Sequence, residues 1–363
     1  MPIKFRPNFR FTRNISEDLA RIEQQRERIA NLPITASVLE GLRKTARLKS
    51  THYSTKIEGN RLTLKEVQLV LFENKTIPNR KRDEDEVEGY YAALEFVKRH
   101  GKSKQPITEK TVQMLHALVM DKGRKKVKPS VYRDDQNVIR ESSSGSIVYL
   151  PPEAQDVPGL MKALVEWIQN SDLPTPLIAG IAHYQLATIH PYWDGNGRVA
   201  RLLATLILHT RGYDQKGIYS LDEYYERDLP AYYDALQVDP SHNYYMGRAD
   251  ADITDWVEYF CNGVARSFES VTRRAKKESL KKKTDQFELL QDLDKRQQIT
   301  LDLFRRHKTI TSAQIAELFG VQPRTARKLC QEWVSENFLL VADPSRKARK
   351  YQLSPKYEAL LVT

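Results

Sequence analysis

Residues 188–201 read Thr188-Ile189-His190-Pro191-Tyr192-Trp193-Asp194-Gly195-Asn196-Gly197-Arg198-Val199-Ala200-Arg201. A proton acceptor, a carboxylate, two glycines around an asparagine and two arginines stand together in this short stretch. His190 suits a general base near neutral pH, and Asp194 suits a hard cation such as magnesium. Gly195-Asn196-Gly197 can leave backbone N–H groups facing an anion. The apolar run that follows, 199–208, predicts a helix, so the turn lies at a helix N-terminus, where unpaired amides and the helix dipole favour phosphate. Arg198 and Arg201, three apart, project from one face of that helix. Upstream, residues 177–189 read as a buried helix that delivers His190 to the loop. Taken singly, an Asp-Gly-Asn-Gly string is an ordinary turn and a histidine beside proline an ordinary loop residue. Their combination with two spaced arginines points to a site that handles the phosphates of a nucleotide.

Residues 190–201 resemble the signature of the Fic family, H-P-F-x-D/E-G-N-G-R-x-x-R, with Tyr192 in place of the usual phenylalanine. The substitution keeps the ring and adds a hydroxyl that needs a partner if buried. The resemblance implies a mainly α fold, a helical Fic-type core with a small β-hairpin flap. It implies an enzyme that moves AMP from ATP to a Tyr, Thr or Ser hydroxyl of a target protein, the chain itself included, with Mg2+ and release of pyrophosphate. On the same resemblance His190 is the general base and Asp194 holds the metal. Gly195, Asn196 and Gly197 bind phosphates, and Arg198 and Arg201 grip the outer ones. The chemistry is coherent without the name: a hydroxyl is a weak nucleophile at pH 7 and needs a base, while in-line positioning and charge neutralisation dominate such transfers.

A second motif lies far upstream, Ser54-Thr55-Lys56-Ile57-Glu58-Gly59-Asn60. Ser54 and Glu58 are one helical turn apart, and Gly59 or Asn60 is a natural helix stop. By itself this is an exposed glutamate at a helix end. It resembles the family's inhibitory motif, (S/T)-x-x-x-E-(G/N), in the class whose inhibitor belongs to the same chain. That resemblance implies that Glu58 pairs with Arg201, in bidentate fashion or not, and occupies space wanted by the γ-phosphate.

Residues 131–139 and 146–150 have strand-like composition, are separated by Ser142-Ser143-Ser144-Gly145 and end at Pro151-Pro152, which predicts a hairpin. The resemblance implies a flap that binds a target segment by strand addition, and an ordinary surface hairpin fits the residues equally. Helices are expected over 16–30, 37–49, 84–99, 108–120 and 157–169, with Thr63 and Glu66 as a capping box. Most aromatics beyond the signature, among them Tyr224, Tyr225, Tyr232 and Tyr233, read as core. The resemblance places part of the adenine wall within 219–262.

At 363 residues and 40% hydrophobic content, more than one domain is expected. The chain divides into an N-terminal helical region carrying the inhibitory motif (1–100), a Fic core (101–264), a charged helical connector (265–294) and a C-terminal domain (295–363). The two cysteines, Cys261 and Cys330, are far apart and supply no disulfide framework or cysteine-based zinc site, which predicts a cytoplasmic protein. No apolar run approaches membrane-spanning length and residues 1–6 lack a signal-peptide core, so no membrane partner is expected.

Residues 295–363 hold 13 Lys or Arg against 6 Asp or Glu, a net +7, whereas the preceding 294 residues carry +4. This tail resembles a winged helix-turn-helix: a first helix over 311–318, a turn at 319–321, a second helix over 322–333, and strands at 338–341 and 350–353 around a basic wing, 346–350. In that reading Arg324, Thr325 and Lys328 meet DNA in the major groove. The same fold also serves as a protein-docking module. Three readings of the whole chain compete: a self-inhibited AMP transferase; a DNA-binding regulator whose Fic domain senses nucleotide; and a Fic enzyme that uses another nucleotide donor or removes AMP. Homodimer formation through the tail is left open.

Overall fold

The computed structural model describes residues 3–32, 34, 36–103, 105–121, 127–140, 145–238, 242–345, 349–358 and 360–361, with the side chains of 279–288 and 291 outside the description. The chain divides into two compact units, Met1–Leu32 with Leu39–Arg274, and Pro33–Val38 with Ala275–Thr363.

The first unit is helical. Helices α1 (Arg13–Asn31), α2 (Ala36–Ile57), α3 (Leu64–Glu73), α4 (Lys81–Ser103) and α5 (Glu109–Met120) precede a hairpin of β1 (Ile139–Arg140) and β2 (Ile147–Tyr149). Then come α6 (Val157–Asn170), α7 (Thr175–Ile189), α8 (Asn196–Thr210), α9 (Asp222–Arg227), α10 (Leu229–Leu236) and, as far as Arg274, α11 (Thr254–Gln291). The centre is α7, buried from Pro176 to Ile189 except at Ala187. A helix apolar all round must be covered on every side, and α6, α8 and α11 supply that cover, Trp256 of α11 donating from Nε1 to the Gly180 carbonyl at 2.7 Å. The helix α8 packs on α7, α4 and α5.

Several helix starts follow from local capping. Thr63 and Glu66 form the expected capping box before α3, and Thr108 caps α5. Helices α1, α2 and α4 outrun the sequence reading. Thr12 accepts from the Ile15 amide, which starts α1 at Arg13. The helix α2 continues to Ile57 through Ser50, Thr51, Ser54 and Thr55, residues of modest helix propensity that are all buried here; tertiary packing overrides propensity.

The expected first strand over 131–139 shrinks to Ile139–Arg140. Arg133 is the reason: its side chain is spent on carbonyls of three different segments, so the backbone around it bends rather than pairs, and Val131 is left 85% exposed. The expected turn residues 142–144 lie outside the described residues. The opening of the 265–294 connector also differs from a solvated helix, since Ala265, Phe268 and Val271 are buried in the first unit.

In the second unit, α12 (Lys295–Arg306), β3 (Ile310–Thr311), α13 (Ser312–Phe319), α14 (Pro323–Ser335), β4 (Leu339–Asp343), β5 (Lys350–Leu353) and α15 (Pro355–Glu358) follow in order. The strands form an antiparallel sheet in the order β3-β5-β4, with Ile310 opposite Tyr351 and Leu339 opposite Leu353. Gly320 at φ 59° ends α13 and makes the tight turn into α14. Leu301, Phe304, Ile315, Ala326, Trp333 and Phe338 close a core of this unit's own.

Candidate active site

The loop between α7 and α8 holds its shape through buried polar contacts. His190 ends α7 in the left-handed region, φ 52°, while its N–H still bonds the Leu186 carbonyl at 2.9 Å. Such a conformation is uncommon outside glycine and persists where neighbours enforce it. Arg133, 3% exposed, does so: its backbone N–H donates to Pro191 O and its Nε to His190 O, both at 2.9 Å, and its other nitrogens reach the carbonyls of Asp135 and Pro152.

The half-buried His190 ring places Nδ1 3.2 Å from the Ala187 carbonyl. A proton on Nδ1 satisfies that carbonyl and leaves Nε2 as an acceptor. Burial lowers the imidazole to about 4, against the opposing pull of the Ala187 carbonyl, with Arg133 lowering it further. The ring is therefore neutral at pH 7 and ready to take a proton.

Gly195, at φ 77°, precedes the first turn of α8. Asp194 is 59% exposed in its side chain, and its Oδ1 accepts from the Gly195 amide at 2.6 Å and from Arg198 Nη2 at 3.2 Å. Asn196 commits its side chain to the loop itself. Its Oδ1 accepts from Tyr192 N at 2.9 Å and its Nδ2 donates to Tyr192 O at 2.8 Å, so the buried side chain braces the loop and only its backbone is left for an anion. The Tyr192 ring stacks on His116 with centroids 3.7 Å apart, while its hydroxyl is buried without a hydrogen-bond partner among the described residues. His116 reaches Ser130 Oγ at 2.7 Å from Nδ1 and the Asp194 carbonyl at 3.0 Å from Nε2; burial lowers it to about 4.

Arg198 and Arg201 are 3% and 2% exposed. Arg201 Nε donates to Ser54 Oγ at 2.7 Å, and its Nη2 donates to Ser54 O at 2.9 Å and Glu58 Oε1 at 2.8 Å. Asp222 Oδ1 lies 3.6 Å from Nε and accepts from Tyr90 at 3.1 Å. Burial works against the Arg201 charge, yet Glu58, Tyr232, Tyr90 and Asp222 together hold its pKa well above the ordinary value. The Glu58 contact is through one oxygen rather than bidentate.

Glu58 follows the last turn of α2, which Gly59 closes at φ 91°. Its Oε1 would stand 2.5 Å from a β-carbon at position 197, so any other residue there would push the carboxylate from its present seat. The Glu58 carboxylate thus rests on the start of α8, the place a phosphate would favour. The sequence motifs 54–60 and 190–201, separated by more than a hundred residues, meet here through Ser54 and Glu58. Arg133, His116, Tyr90 and Asp222 were not legible beforehand; only the spacing of four between Tyr192 and Asn196 hinted at a braced loop.

The aromatic region beyond α8 is mixed. Tyr225 and Tyr232 are buried, Tyr232 meeting His183 at 3.1 Å, while Tyr233 is 42% exposed and donates to Ile57 O at 3.4 Å. In the second unit Arg324, Thr325 and Lys328 are all exposed on α14, with Lys328 3.6 Å from Glu332. Of the basic wing, 346–348 lie outside the described residues. No helix among the described residues is long and apolar enough to cross a membrane.

Comparison with known proteins matches these features. Residues 106–208 fit the model of the Fic/DOC family. Two curated relatives called protein adenylyltransferase Fic are 28% identical: that of Nematostella vectensis over 58% of this chain and 49% of its own length, and that of Drosophila mojavensis over 54% and 38%. The chain spans about half or less of the length of these relatives. Among solved structures, a Fic family protein from Desulfovibrio desulfuricans G20 aligns with TM-score 0.62 and 21% identity over 97% of this chain and 99% of that one. Fic-1 from C. elegans aligns with TM-score 0.57 and 21% identity over 74% and 73%. At these identities the structural likeness establishes the fold. The chain carries a Fic domain, its residues 106–208 matching the Fic/DOC family model.

Proposed function

We propose that this protein is a self-restrained adenylyltransferase that moves AMP from ATP to a hydroxyl side chain of a protein, its own chain included. The observation that carries the reading is the juxtaposition of a neutral His190, its Nδ1 on Ala187 O, with the start of α8 and two buried arginines. The curated relatives' printed name, protein adenylyltransferase, supports the reaction type. The hydroxyl oxygen attacks the α-phosphorus as its proton passes to His190 Nε2; the bond from the α-phosphorus to the bridging oxygen breaks and pyrophosphate leaves. Arg198 and Arg201 offset the charge that develops on the leaving group.

Asp194 fits a magnesium ligand: it is exposed, and both of its hydrogen bonds fall on Oδ1. One carboxylate suits an ion that takes its remaining oxygens from phosphates and water. Bound there, magnesium would supply charge neutralisation.

Glu58 is the restraint. With its carboxylate on Arg201 and over Gly197, the γ-phosphate cannot take the place that brings the α-phosphorus in line with an incoming hydroxyl, and a displacement of about 1 Å can cost roughly 10²-fold. Incubation of wild type, Glu58→Gly and Glu58→Gly/His190→Ala with each nucleoside triphosphate, followed by intact-mass measurement, tests this. AMP addition should rise at least tenfold in Glu58→Gly and fall by about 10²–10⁴-fold when His190 is also removed. Equal rates in wild type and Glu58→Gly would remove the restraint; another mass increment would change the donor.

The second unit we read as a winged helix-turn-helix. The exposed side chains of Arg324, Thr325 and Lys328 on one end of α14 favour DNA as its partner. Binding of duplex DNA should weaken steeply with salt and with Arg324→Ala; salt-insensitive binding would point to another partner.

A further inference from the structure

A second cleft opens between α2, α4 and α8, toward the ends of α4 and α8 that lie away from the signature loop, and it shares no residue with the site above. Thr205 and His209 of α8 line it, the latter about 20 Å along the helix from Asn196. Ala46, Leu94 and Val97 give it apolar walls, and its free volume is about 110 Å³, comparable to the cavity of roughly 150 Å³ that admits benzene.

Two polar groups in this lining lack partners. Tyr219 is 7% exposed and its hydroxyl has no hydrogen bond among the described residues, and neither has the buried Nε of Arg47. Such groups cost free energy unless something satisfies them. Charge points the same way. Arg43, Arg47, Lys98, Lys102 and Lys216 line the cleft against one carboxylate, Asp214. Glu40 engages Arg43 and Arg47, at 3.9 and 3.5 Å, Glu95 engages Arg47 and Lys98, at 2.5 and 3.8 Å, and Lys216 Nζ donates to the Ala30 carbonyl at 3.2 Å, whereas Lys102 has no ion pair among the described residues and leaves the rim with a net positive charge.

We infer that this cleft binds a small molecule with one apolar ring and one anionic group, and that the ligand acts as an effector of Glu58. The ring fits between the apolar walls beside Tyr219, and the anion faces the lysine rim. The effector role rests on the proposed adenylyltransfer and follows from the helices involved. Ser50 of α2 lines the cleft, and Ser54, one turn on, holds Arg201 of α8. A ligand wedged between α2 and α8 strains the contact that seats Glu58.

The probe is 4-fluorobenzoate, followed by fluorine NMR line broadening on the full chain, with 4-fluorobenzamide as its uncharged counterpart. Saturable broadening by the acid, at least fivefold weaker broadening by the amide, and no displacement by saturating ATP are expected. Lys98→Gln/Lys102→Gln, a surface change that keeps the fold, should weaken the acid by roughly fivefold, and Ala46→Phe should abolish binding by filling the cleft. Equal binding of acid and amide, indifference to the lysine change, or displacement by ATP would each overturn the site. Saturating probe should also raise AMP transfer severalfold in wild type and leave Glu58→Gly unchanged. An unchanged wild-type rate, with transfer readily measured in Glu58→Gly, would overturn the effector role. Absence of transfer from both proteins would instead count against the adenylyltransferase reading, and the binding result would stand.

Discussion

Helices α8 and α14 both carry basic side chains near their starts, and they treat them in opposite ways. Arg201 of α8 is 2% exposed and sits among Ser54, Glu58 and Asp222. Arg324 and Lys328 of α14 stand in solvent, Lys328 with a single Glu332 at 3.6 Å. A buried cation must be paired, so its neighbours dictate where it points, and a phosphate arriving at α8 meets donors already oriented. An exposed cation is free to move and must be ordered by whatever it binds. The first arrangement suits chemistry on a fixed geometry. The second suits adaptable recognition of a charged surface.

The comparison is tested most severely at the two arginines. Replacing Arg201 with methionine leaves Asp222 and Glu58 without their cation and should cost about 3–5 kcal/mol of stability, read by denaturant unfolding. Arg324→Met should stay within about 0.5 kcal/mol. Similar losses at both positions would erase the distinction. Next comes Asn196→Ala, which strands the Tyr192 N–H, leaves the Tyr192 carbonyl with only the longer bond from Asn137 Nδ2 at 3.4 Å, and should cost about 1–3 kcal/mol. A loss near zero would mean that the loop does not depend on this brace.

Acid should separate the regions further. His116 and His190 are held at about 4, below the ordinary value near 6.5, because burial disfavours their charged forms. Unfolding then takes up protons, so the stability present above pH 6.5 declines as pH falls toward 4 and levels off below it. Melting temperature followed between pH 7 and 4 should drop, and His116→Gln should shallow the slope; an unchanged slope would contradict a buried neutral ring. The smallest effect is expected at Tyr192→Phe, which removes a buried hydroxyl that has no partner among the described residues and should be neutral or slightly stabilising. A clear loss would reveal a bond to that hydroxyl.

Much of the site was legible in local sequence because its chemistry is compact. His190, Asp194, Gly195, Arg198 and Arg201 fall within one turn and the helix it opens; Gly195 occupies a backbone conformation that favours glycine, φ 77°, and Gly197 leaves room for the approach of Glu58. Arg133 escaped notice because it lies in a run with strand composition, and His116 because it occupies an inward position of an ordinary amphipathic helix. Their importance arises only from carbonyls supplied by distant segments. Residues 195–197 were expected to turn backbone N–H groups toward an anion; that the Tyr192 backbone four residues earlier takes both ends of the Asn196 side chain was not legible, because it depends on how the loop folds back on itself.

From its sequence alone the protein was bound to have a helical core, a histidine poised before a glycine-framed helix start, and a glutamate at the end of an earlier helix. These follow from periodicity, capping residues and backbone angles, all of which act over a few neighbours. Tertiary structure alone decided that Glu58 rests on Arg201 rather than in water, that Asn196 braces the loop, and that a cation-rimmed cleft lies behind the same helices. Those outcomes depend on which distant surfaces bury one another, because a charge removed from solvent takes whatever partner the packing brings within reach.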